Sequence, residues 1–412
     1  MKIKSYLCAF FLLAVMLMMS GCVSATPGPV DFSSEFAVPK MLDASGLKFD
    51  FQVSGNIRPI LFEGPEWKGN PSRVFAWYGT PAEGKGPYPA VVLVHGGGGS
   101  AFAEWVRRWN ERGYAAIAID THGCVPSSPW EGRNISKKNE GGAHADRFAP
   151  NDPVQDQWTY QAIAAVMRAH SLLRTFPEID KDNIGVTGIS WGGFLTLIAA
   201  GVDHRFKYAI PVYGCGFLND PPSMCVMKIQ GSTPEERNRW LDLWDPSNYC
   251  GNAKMPVFMV NDCDDPAFPM DHWTRTWKLL KNAPALFVDH TFGHSHHSGD
   301  QPEVLRFANA MTGRAAKPAE LVSLKKDGRS IELEFTGGKA PFKADLVYTV
   351  EKLPADEKVY ITRPYLAGHI RKWQTLPAEI KDGKITVVIP QDAVYSLVRL
   401  TDADGKISFL LD

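Results

Sequence analysis

The residues of this chain best suited to chemistry form the segment Gly188-Ile189-Ser190-Trp191-Gly192. A β-branched run, residues 184–187, precedes the segment, and an apolar stretch, residues 194–200, follows it. This pattern predicts a strand, a sharp turn and a helix. In such a turn a serine is held in strained backbone geometry, with its Oγ exposed above the end of a sheet. Ser190 is therefore the candidate nucleophile, although Gly-x-Ser-x-Gly alone also arises by chance in glycine-rich chains.

A nucleophilic serine needs a base, and the base needs a carboxylate that fixes its tautomer and stabilises the imidazolium. In this template the partners follow in the order Ser, Asp, His, each just past the end of a strand. The predicted strand at 257–260 is followed by Asp262, Asp264 and Asp265. We choose Asp265 as the acid because it lies at the tip of the loop, whereas the other two can be turn formers.

The candidate base lies in a histidine-rich loop that follows the next predicted strand, at 286–288. His294 is the first choice and His296 the alternative, because alternate residues of a loop point in opposite directions. Together with His297 and the aspartates of the acid loop, these histidines could instead hold a divalent ion. A metal-dependent hydrolase is therefore an alternative, although the sequence contains no His-Glu-x-x-His motif.

The oxyanion of a tetrahedral intermediate must meet N–H donors that are already in place. One predicted donor is the amide of Trp191, directly after the nucleophile. The other is the amide of Gly97, in the glycine run 96–99 after a predicted strand, because glycines let a backbone approach a substrate closely. That run could also hold a phosphate, but it lacks the Gly-Lys-[Ser/Thr] ending of a phosphate-binding loop.

The elements around these residues alternate between buried strands and helices, which predicts a mainly parallel sheet in an α/β fold. Antiparallel edge strands precede them between residues 49 and 78. The predicted strands are 90–94, 115–119, 184–187, 208–212, 257–260 and 286–288, and the predicted helices are 102–112, 154–176, 191–201, 271–281 and 302–311. Beyond residue 313 short strands joined by Lys-Asp-Gly turns predict a small C-terminal β-sandwich.

At 412 residues the chain is too long for one ordinary core, so more than one domain is expected. The predicted segments are a signal peptide at 1–21, a tether at 22–47, a catalytic domain at 48–314 with a cap or rim at 218–250, and the β-sandwich at 315–412. The net charge of −1, without a Lys/Arg block, gives no case for nucleic acid as a partner. No sequence feature implies a cofactor.

The N-terminus carries Lys2 and Lys4, then an apolar run at 7–19 that is too short to span a bilayer comfortably. The small residues before Cys22 resemble a bacterial lipoprotein signal, which predicts export and a lipid anchor on that cysteine. Cleavage near Val23-Ser24-Ala25, giving a periplasmic or secreted protein, is the alternative. Export places the chain in an oxidising compartment, so one or two disulfides can form among the remaining cysteines, Cys124, Cys215, Cys225, Cys250 and Cys263.

Several motifs together resemble exported α/β-hydrolases of the acetylxylan esterase and dienelactone hydrolase-like group, which is related to the prolyl oligopeptidase superfamily. The motifs are at 95–99, 109–114, 188–193, 211–216 and 294–296. The resemblance implies a serine carboxylesterase that deacetylates a carbohydrate ester, with a prolyl oligopeptidase-type peptidase as the alternative. Dienelactone hydrolases use a cysteine nucleophile, so Ser190 argues against that activity.

Two further features bear on the predicted site. In relatives the acid loop usually reads Asn-Gly-x-Asn-Asp, whereas here Asp262 and Asp264 replace a glycine and an asparagine. Aromatic faces stack well on sugar rings, so Tyr213, Trp240 and Trp244 are candidate pocket residues, beside Trp191. The alternative is that these aromatics pack in a core or cap, as most aromatic side chains do.

Overall fold

A computed structural model describes residues 29–128, 136–219, 232–265, 267–352 and 371–411. The predicted signal peptide at 1–21, the predicted lipidation site Cys22 and the predicted disulfide candidate Cys225 lie outside the described residues. Within the ranges described, no helix combines the length and the apolar character that crossing a bilayer requires.

The catalytic region contains eleven strands among the described residues. They are β1 Met41–Leu42, β2 Ile57–Glu63, β3 Arg73–Gly79, β4 Tyr88–Val94, β5 Ala115–Ile119, β6 Cys124–Pro126, β7 Ser136–Lys138, β8 Ile179–Ile189, β9 Tyr208–Val212, β10 Phe258–Asp262 and β11 Ala285–Asp289. β6 and β7 form a separate two-stranded hairpin, and the other strands share one sheet in the order β1-β2-β3-β5-β4-β8-β9-β10-β11.

Six neighbouring strands of this sheet, β4, β5 and β8–β11, pair in parallel. Every residue of β5, β9 and β10 is buried, as expected for strands covered on both faces. β1, β2 and β3 extend the sheet in antiparallel fashion along one edge. The predicted α/β architecture with a mainly parallel central sheet is therefore confirmed.

Helices connect the parallel strands. They are α1 Ala103–Glu111, α2 Trp158–Leu173, α3 Trp191–Val202, α4 Pro234–Trp244, α5 Met270–Leu279 and α6 Pro302–Met311. Nearly every residue of α2 is buried, so this helix lies within the core rather than on its surface. Of the predicted cap at 218–250, residues 220–231 are not described, and α4 begins in the described part with a capping box formed by Thr233 and Glu236.

The C-terminal region contributes β12 Glu320–Asp327, β13 Ser330–Thr336, β14 Lys343–Thr349, β15 Gln374–Lys381, β16 Lys384–Val388, β17 Tyr395–Asp402 and β18 Gly405–Leu410. β18 pairs antiparallel with β11, so these strands continue the sheet in the order β18-β17-β14-β15-β16-β13-β12. Ser408 makes the junction specific, because its Oγ accepts the Val288 N–H at 3.0 Å and donates to the Val288 carbonyl at 3.1 Å. The region expected to be a separate β-sandwich is thus joined edge to edge to the catalytic sheet.

Candidate active site

Ser190 lies at the junction of β8 and α3, with φ 60° and ψ −117°. A non-glycine residue adopts this conformation only when its surroundings impose it. The surroundings here are backbone, since a Cβ on Gly192 would lie 2.0 Å from the Val94 carbonyl oxygen and one on Gly188 would lie 2.2 Å from that of Gly192. The two glycines therefore allow the turn to close tightly against β4, which leaves the serine side chain at the end of the sheet.

His294 and Asp265 meet Ser190 at this end of the sheet. The Nε2 atom of His294 lies 2.9 Å from Ser190 Oγ, and its Nδ1 atom lies 2.5 Å from Asp265 Oδ2. The other carboxylate oxygen, Oδ1, accepts the amide hydrogens of Ala267 and Phe268 at 2.8 and 2.7 Å. This geometry suits the tautomer that donates from Nδ1 to the carboxylate and accepts the serine hydroxyl at Nε2.

Asp262 connects the loop that carries Asp265 to the loop that carries His294. Its Oδ2 accepts the amide hydrogens of Phe292 and Gly293, and its Oδ1 accepts that of Asp264. Burial raises the pKa of Asp262 to about 6, the neighbouring carboxylates add to this rise, and the amides of Asp264 and Gly293 oppose it. Asp262 therefore holds the two loops in register, a role that differs from that of the acid.

His296, the alternative base, does not lie beside Ser190. Its ring packs edge-on against Phe102 and Trp105, with ring centroids 4.7 and 4.5 Å apart. Burial lowers the pKa of His296 to about 3, and nearby cationic side chains lower it further. The two histidines point to opposite sides of their loop, so the structure brings His294, and not His296, to the serine.

The predicted oxyanion loop, residues 96–99, lies directly against the nucleophile. A Cβ on Gly96 would lie 3.3 Å from that of Ser190, and one on Gly97 would lie 2.4 Å from Cδ1 of Trp191. His95 fixes the start of the loop through its Nδ1 atom, which lies 2.7 Å from the Gly96 carbonyl oxygen. The Gly97 backbone therefore lies against the Trp191 indole beside the serine. The two backbone amides stay the predicted oxyanion donors.

Arg147 adjoins this loop and was not anticipated from the sequence. One of its Nη atoms donates to the Gly97 carbonyl at 2.8 Å, and the guanidinium lies 5.1 Å from the ring centroids of both Trp158 and Trp191. Such stacking holds a planar cation in a fixed orientation. Residues around Arg147 form no motif and no regular element, so no sequence signal identifies it.

The three aromatic residues predicted to line a substrate pocket are buried instead. Trp244 is fully buried and donates its indole N–H to Gln157, and Trp240, 1% exposed, packs near Phe148 and donates to the carbonyl of Arg147. Tyr213 is also fully buried, stacks on the His294 ring at 4.3 Å and hydrogen-bonds to Gly293 and Ser298. This burial favours the alternative interpretation, in which these aromatic side chains pack in a core or cap. Tyr213 instead supports the loop that carries the base.

Among the described residues, one cluster of side chains could hold a metal ion, and it does not lie in the histidine-rich loop. It consists of His95, Asp120 and His122, whose potential ligand atoms lie within 4.8 Å of one another. However, Nε2 of His95 already accepts the Thr121 amide hydrogen at 3.0 Å, and Nε2 of His122 lies 2.8 Å from the Arg147 guanidinium. An engaged lone pair and an adjacent cation both oppose a bound metal. These side chains instead connect the ends of β4 and β5 behind the oxyanion loop.

Comparison with known proteins shows similarity to acetyl xylan esterases. The acetyl xylan esterase (AXE1) family model matches residues 58–256, just under half of the chain, and the PhoPQ-activated pathogenicity-related protein model matches residues 224–356. The crystal structure of acetyl xylan esterase 1 from Thermoanaerobacterium sp. JW/SL YS485 superposes with a TM-score of 0.52 and 18% identity, over 70% of this chain and 95% of that chain. The shared fold is thus that of an α/β-hydrolase.

Two relatives illustrate the range of the similarity. Acetyl esterase Axe7A from Xylanibacter ruminicola is 24% identical over 49% of this chain and 48% of its own length. Dipeptidyl-peptidase 5 from Porphyromonas gingivalis is 27% identical over 42% of this chain and 25% of its own length. The chain therefore spans between a quarter and a half of these relatives. It has the α/β-hydrolase fold and is similar to the acetyl xylan esterases, as the sequence motifs predict.

Proposed function

We propose that the chain is a serine carboxylesterase in which Ser190, His294 and Asp265 act as the catalytic triad. The observation that carries this proposal is the continuous pair of contacts from Ser190 Oγ to His294 Nε2 at 2.9 Å and from Nδ1 to Asp265 at 2.5 Å. The strained backbone of Ser190 supports it, because this conformation exposes the hydroxyl above the sheet.

The proposed reaction proceeds by acyl transfer. Ser190 Oγ attacks the ester carbonyl carbon while His294 Nε2 takes the hydroxyl proton, and Asp265 stabilises the imidazolium that forms. The amides of Trp191 and Gly97 donate to the oxyanion. The tetrahedral intermediate collapses, His294 gives its proton to the leaving alkoxide, and an acyl-enzyme remains. Water activated by the same histidine then hydrolyses the acyl-enzyme and regenerates the serine.

The proposed substrate is a small or polymeric carbohydrate ester that carries acetyl groups. Support for this substrate class comes from the acetyl xylan esterase family match and from the relative named as an acetyl esterase. Because the oxyanion loop lies tightly against Ser190 and Trp191, we expect short acyl groups to be preferred over long ones.

The test is hydrolysis of p-nitrophenyl acetate, butyrate and octanoate by the purified protein and its Ser190→Ala variant, with and without a chelator. We expect acetate to be preferred, and the chelator to have no effect. The Ser190→Ala variant should lose about 10⁴-fold or more of kcat, because the acyl-enzyme can no longer form. Activity that survives this substitution would rule out the triad.

A serine peptidase of the prolyl oligopeptidase type is the second candidate, since relatives named as dipeptidyl-peptidase 5 match 42% and 62% of this chain. The same triad would then cleave an amide. Hydrolysis of dipeptidyl p-nitroanilides, measured beside that of p-nitrophenyl acetate, separates the two activities. We expect ester hydrolysis to exceed amide hydrolysis, and the opposite order would favour the peptidase.

We further propose that the protein is exported and anchored to the cell envelope through a lipid on Cys22. This part of the proposal rests on the N-terminal sequence alone. It is tested by expressing the full chain and its Cys22→Ser variant in a bacterial host supplied with labelled palmitate. Label and membrane association should appear in the full chain and be absent from the variant.

A further inference from the structure

The acid loop, residues 262–265, contains three buried aspartates. Asp262, Asp264 and Asp265 are at most 6% exposed. Like charges in such a setting repel one another, and the pKa of Asp262, raised to about 6 chiefly by burial, is raised further by the other two carboxylates. The two substitutions that distinguish this loop from the usual pattern thus create an electrostatic cost around the proposed catalytic acid.

A cation from the C-terminal region reduces this repulsion by pairing with one of the carboxylates. Arg371, 2% exposed, places its Nε 2.6 Å from Asp264 Oδ1 and donates an Nη hydrogen to the Cys263 carbonyl at 2.6 Å. The backbone N–H of Arg371 and the indole N–H of Trp373 both reach Asp264 Oδ2, at 3.3 and 3.0 Å. One arginine therefore binds both the carboxylate and the main chain of the acid loop.

The pKa of the Cys263 thiol depends on the charged side chains around this loop. Burial raises the pKa of Cys263 well above its usual value, Asp262, Asp264 and Asp289 raise it further, and Arg371 lowers it. Arg371 thus opposes the effect of these carboxylates at Cys263. A buried ion pair of this kind is costly to break, because removal of one partner leaves the other charged, buried and uncompensated.

The main chain of the acid loop is held from both sides. Opposite Arg371, the Cys263 N–H donates to the Asp289 carbonyl at 2.7 Å, and the Asp265 N–H donates to the Asp262 carbonyl at 3.2 Å. The Asp265 carboxylate must remain within hydrogen-bond distance of His294, 2.5 Å in this structure, to orient the imidazole and stabilise the imidazolium. A shift of the loop by about 1 Å would be enough to misalign the reacting groups.

We propose that Arg371 is a positioning residue for the triad. By neutralising Asp264 and anchoring Cys263, it holds Asp265 in line with His294, so that the C-terminal region helps to position the triad. This inference rests on the proposed function, because it requires that Ser190, His294 and Asp265 carry out the chemistry. Arg371 itself contacts neither the serine nor the histidine in the contacts described above.

The test uses the full chain with Arg371→Gln, and measures kcat and KM for p-nitrophenyl acetate as a function of pH. We expect kcat to fall about 100-fold with KM unchanged within about threefold, because the reacting groups lose their alignment while the substrate site does not change. The acidic limb of the pH profile should shift upward by about 0.5 unit or more, since an uncompensated Asp264 charge favours the protonated imidazolium.

Two further variants separate positioning from general stability. Arg306→Gln breaks another buried ion pair between the catalytic and C-terminal regions, the contact with Asp402 at 2.5 Å, away from the acid loop. We expect it to lower stability but to leave kcat and the pH profile of the folded protein unchanged. The double variant Asp264→Asn/Arg371→Gln should recover most of the lost kcat and return the acidic limb to its original position, because no unpaired charge remains.

A fluorophosphonate that labels Ser190 provides a second readout that does not depend on the choice of ester. If the wild-type protein is neither active nor labelled, the proposed function fails before the inference is tested. If it is active, a wild-type kcat and pH profile in Arg371→Gln would overturn the inference, and so would an equal loss of kcat in Arg306→Gln. Should Arg371→Gln not fold, Arg371→Lys replaces it. That variant keeps the positive charge but lacks the planar guanidinium that binds Asp264 and Cys263 together. We expect kcat to fall about tenfold because lysine anchors the loop less firmly.

Discussion

Asp265 and Asp262 illustrate how the environment of a residue assigns its role. Both are buried, and Asp262 ends β10 while Asp265 follows it. Only Asp265 turns an oxygen towards His294, whereas Asp262 uses both oxygens to accept backbone amides. The choice of Asp265 could be made from the sequence because its position at the loop tip gives it reach. The bridging role of Asp262 could not, since it depends on where the next loop lies.

Replacing Asp265 with Asn tests the proposed acid. An amide at this position can present its NH₂ group to His294, which favours the tautomer that cannot accept the serine proton. We expect kcat to fall by about 10³–10⁴-fold. The measurement is kcat for p-nitrophenyl acetate, with circular dichroism to show that the variant is folded. A value of kcat within tenfold of that of the wild-type protein would assign the acid elsewhere.

A matched pair of variants should distinguish the roles of the two histidines in the base loop. His294→Gln removes the proposed base and should abolish ester hydrolysis and labelling by fluorophosphonate. His296→Phe keeps an aromatic ring between Phe102 and Trp105 and should retain activity within a few fold. Loss of activity in the second variant, with retention in the first, would exchange the two assignments.

The lowered pKa of His296 leads us to predict that the stability of the protein depends on pH. Its pKa is about 3 in the folded protein and about 6.5 when unfolded, so below pH 6.5 only the unfolded state takes up the proton. Stability contributed by the neutral ring is therefore lost as the pH falls from about 6.5 towards 3. Between pH 7 and pH 4, we expect His296→Phe to gain about 2–3 kcal/mol in free energy of unfolding relative to the wild-type protein. Urea titrations at the two pH values measure this difference, and a constant offset between the two proteins would contradict it.

At the scale of elements, the parallel core could be predicted from the sequence and the C-terminal strands only in part. The buried strands of the core are continuous apolar runs, so their pattern alone identifies them. β15 is largely exposed and contains Pro377, so it shows neither alternation nor an apolar run. β18 includes Ser408, whose burial makes sense only once its hydroxyl is paired with β11.

The oxyanion loop offers a prediction with a built-in control. A methyl group on Gly97 would lie 2.4 Å from Trp191 and 2.9 Å from the Arg147 guanidinium, whereas one on Gly98 would meet nothing within 4 Å. Gly97→Ala should displace the loop and lower kcat by about 100-fold, through loss of one oxyanion donor. Gly98→Ala should keep kcat within about threefold. Equal kcat values for the two variants would show that the loop does not supply a donor.

At the scale of the whole molecule, the site depends on contacts that no local pattern reveals. Ser190, Asp265 and His294 could be predicted because a known template fixes their order and their position after strands. Arg147 and Arg371 could not, since their partners are distant in sequence: Asp264 and Arg371 are 107 positions apart. The Lys-Asp-Gly turns identified C-terminal strands, but only the fold shows that these strands continue the catalytic sheet.

This continuity predicts that the two regions unfold together. The β11–β18 pairing and the buried contacts of Arg306 and Arg371 cross the boundary near residue 313, so neither side can open without exposing unpaired charge and a sheet edge. Urea unfolding followed by far-ultraviolet circular dichroism and by fluorophosphonate labelling of Ser190 should give coincident midpoints. Arg306→Gln should lower the free energy of unfolding by about 3 kcal/mol, and both midpoints should therefore move together to a lower urea concentration. If labelling is lost at a clearly different urea concentration from the secondary structure, the C-terminal strands behave as a separate domain, and the contacts across the boundary contribute little to stability.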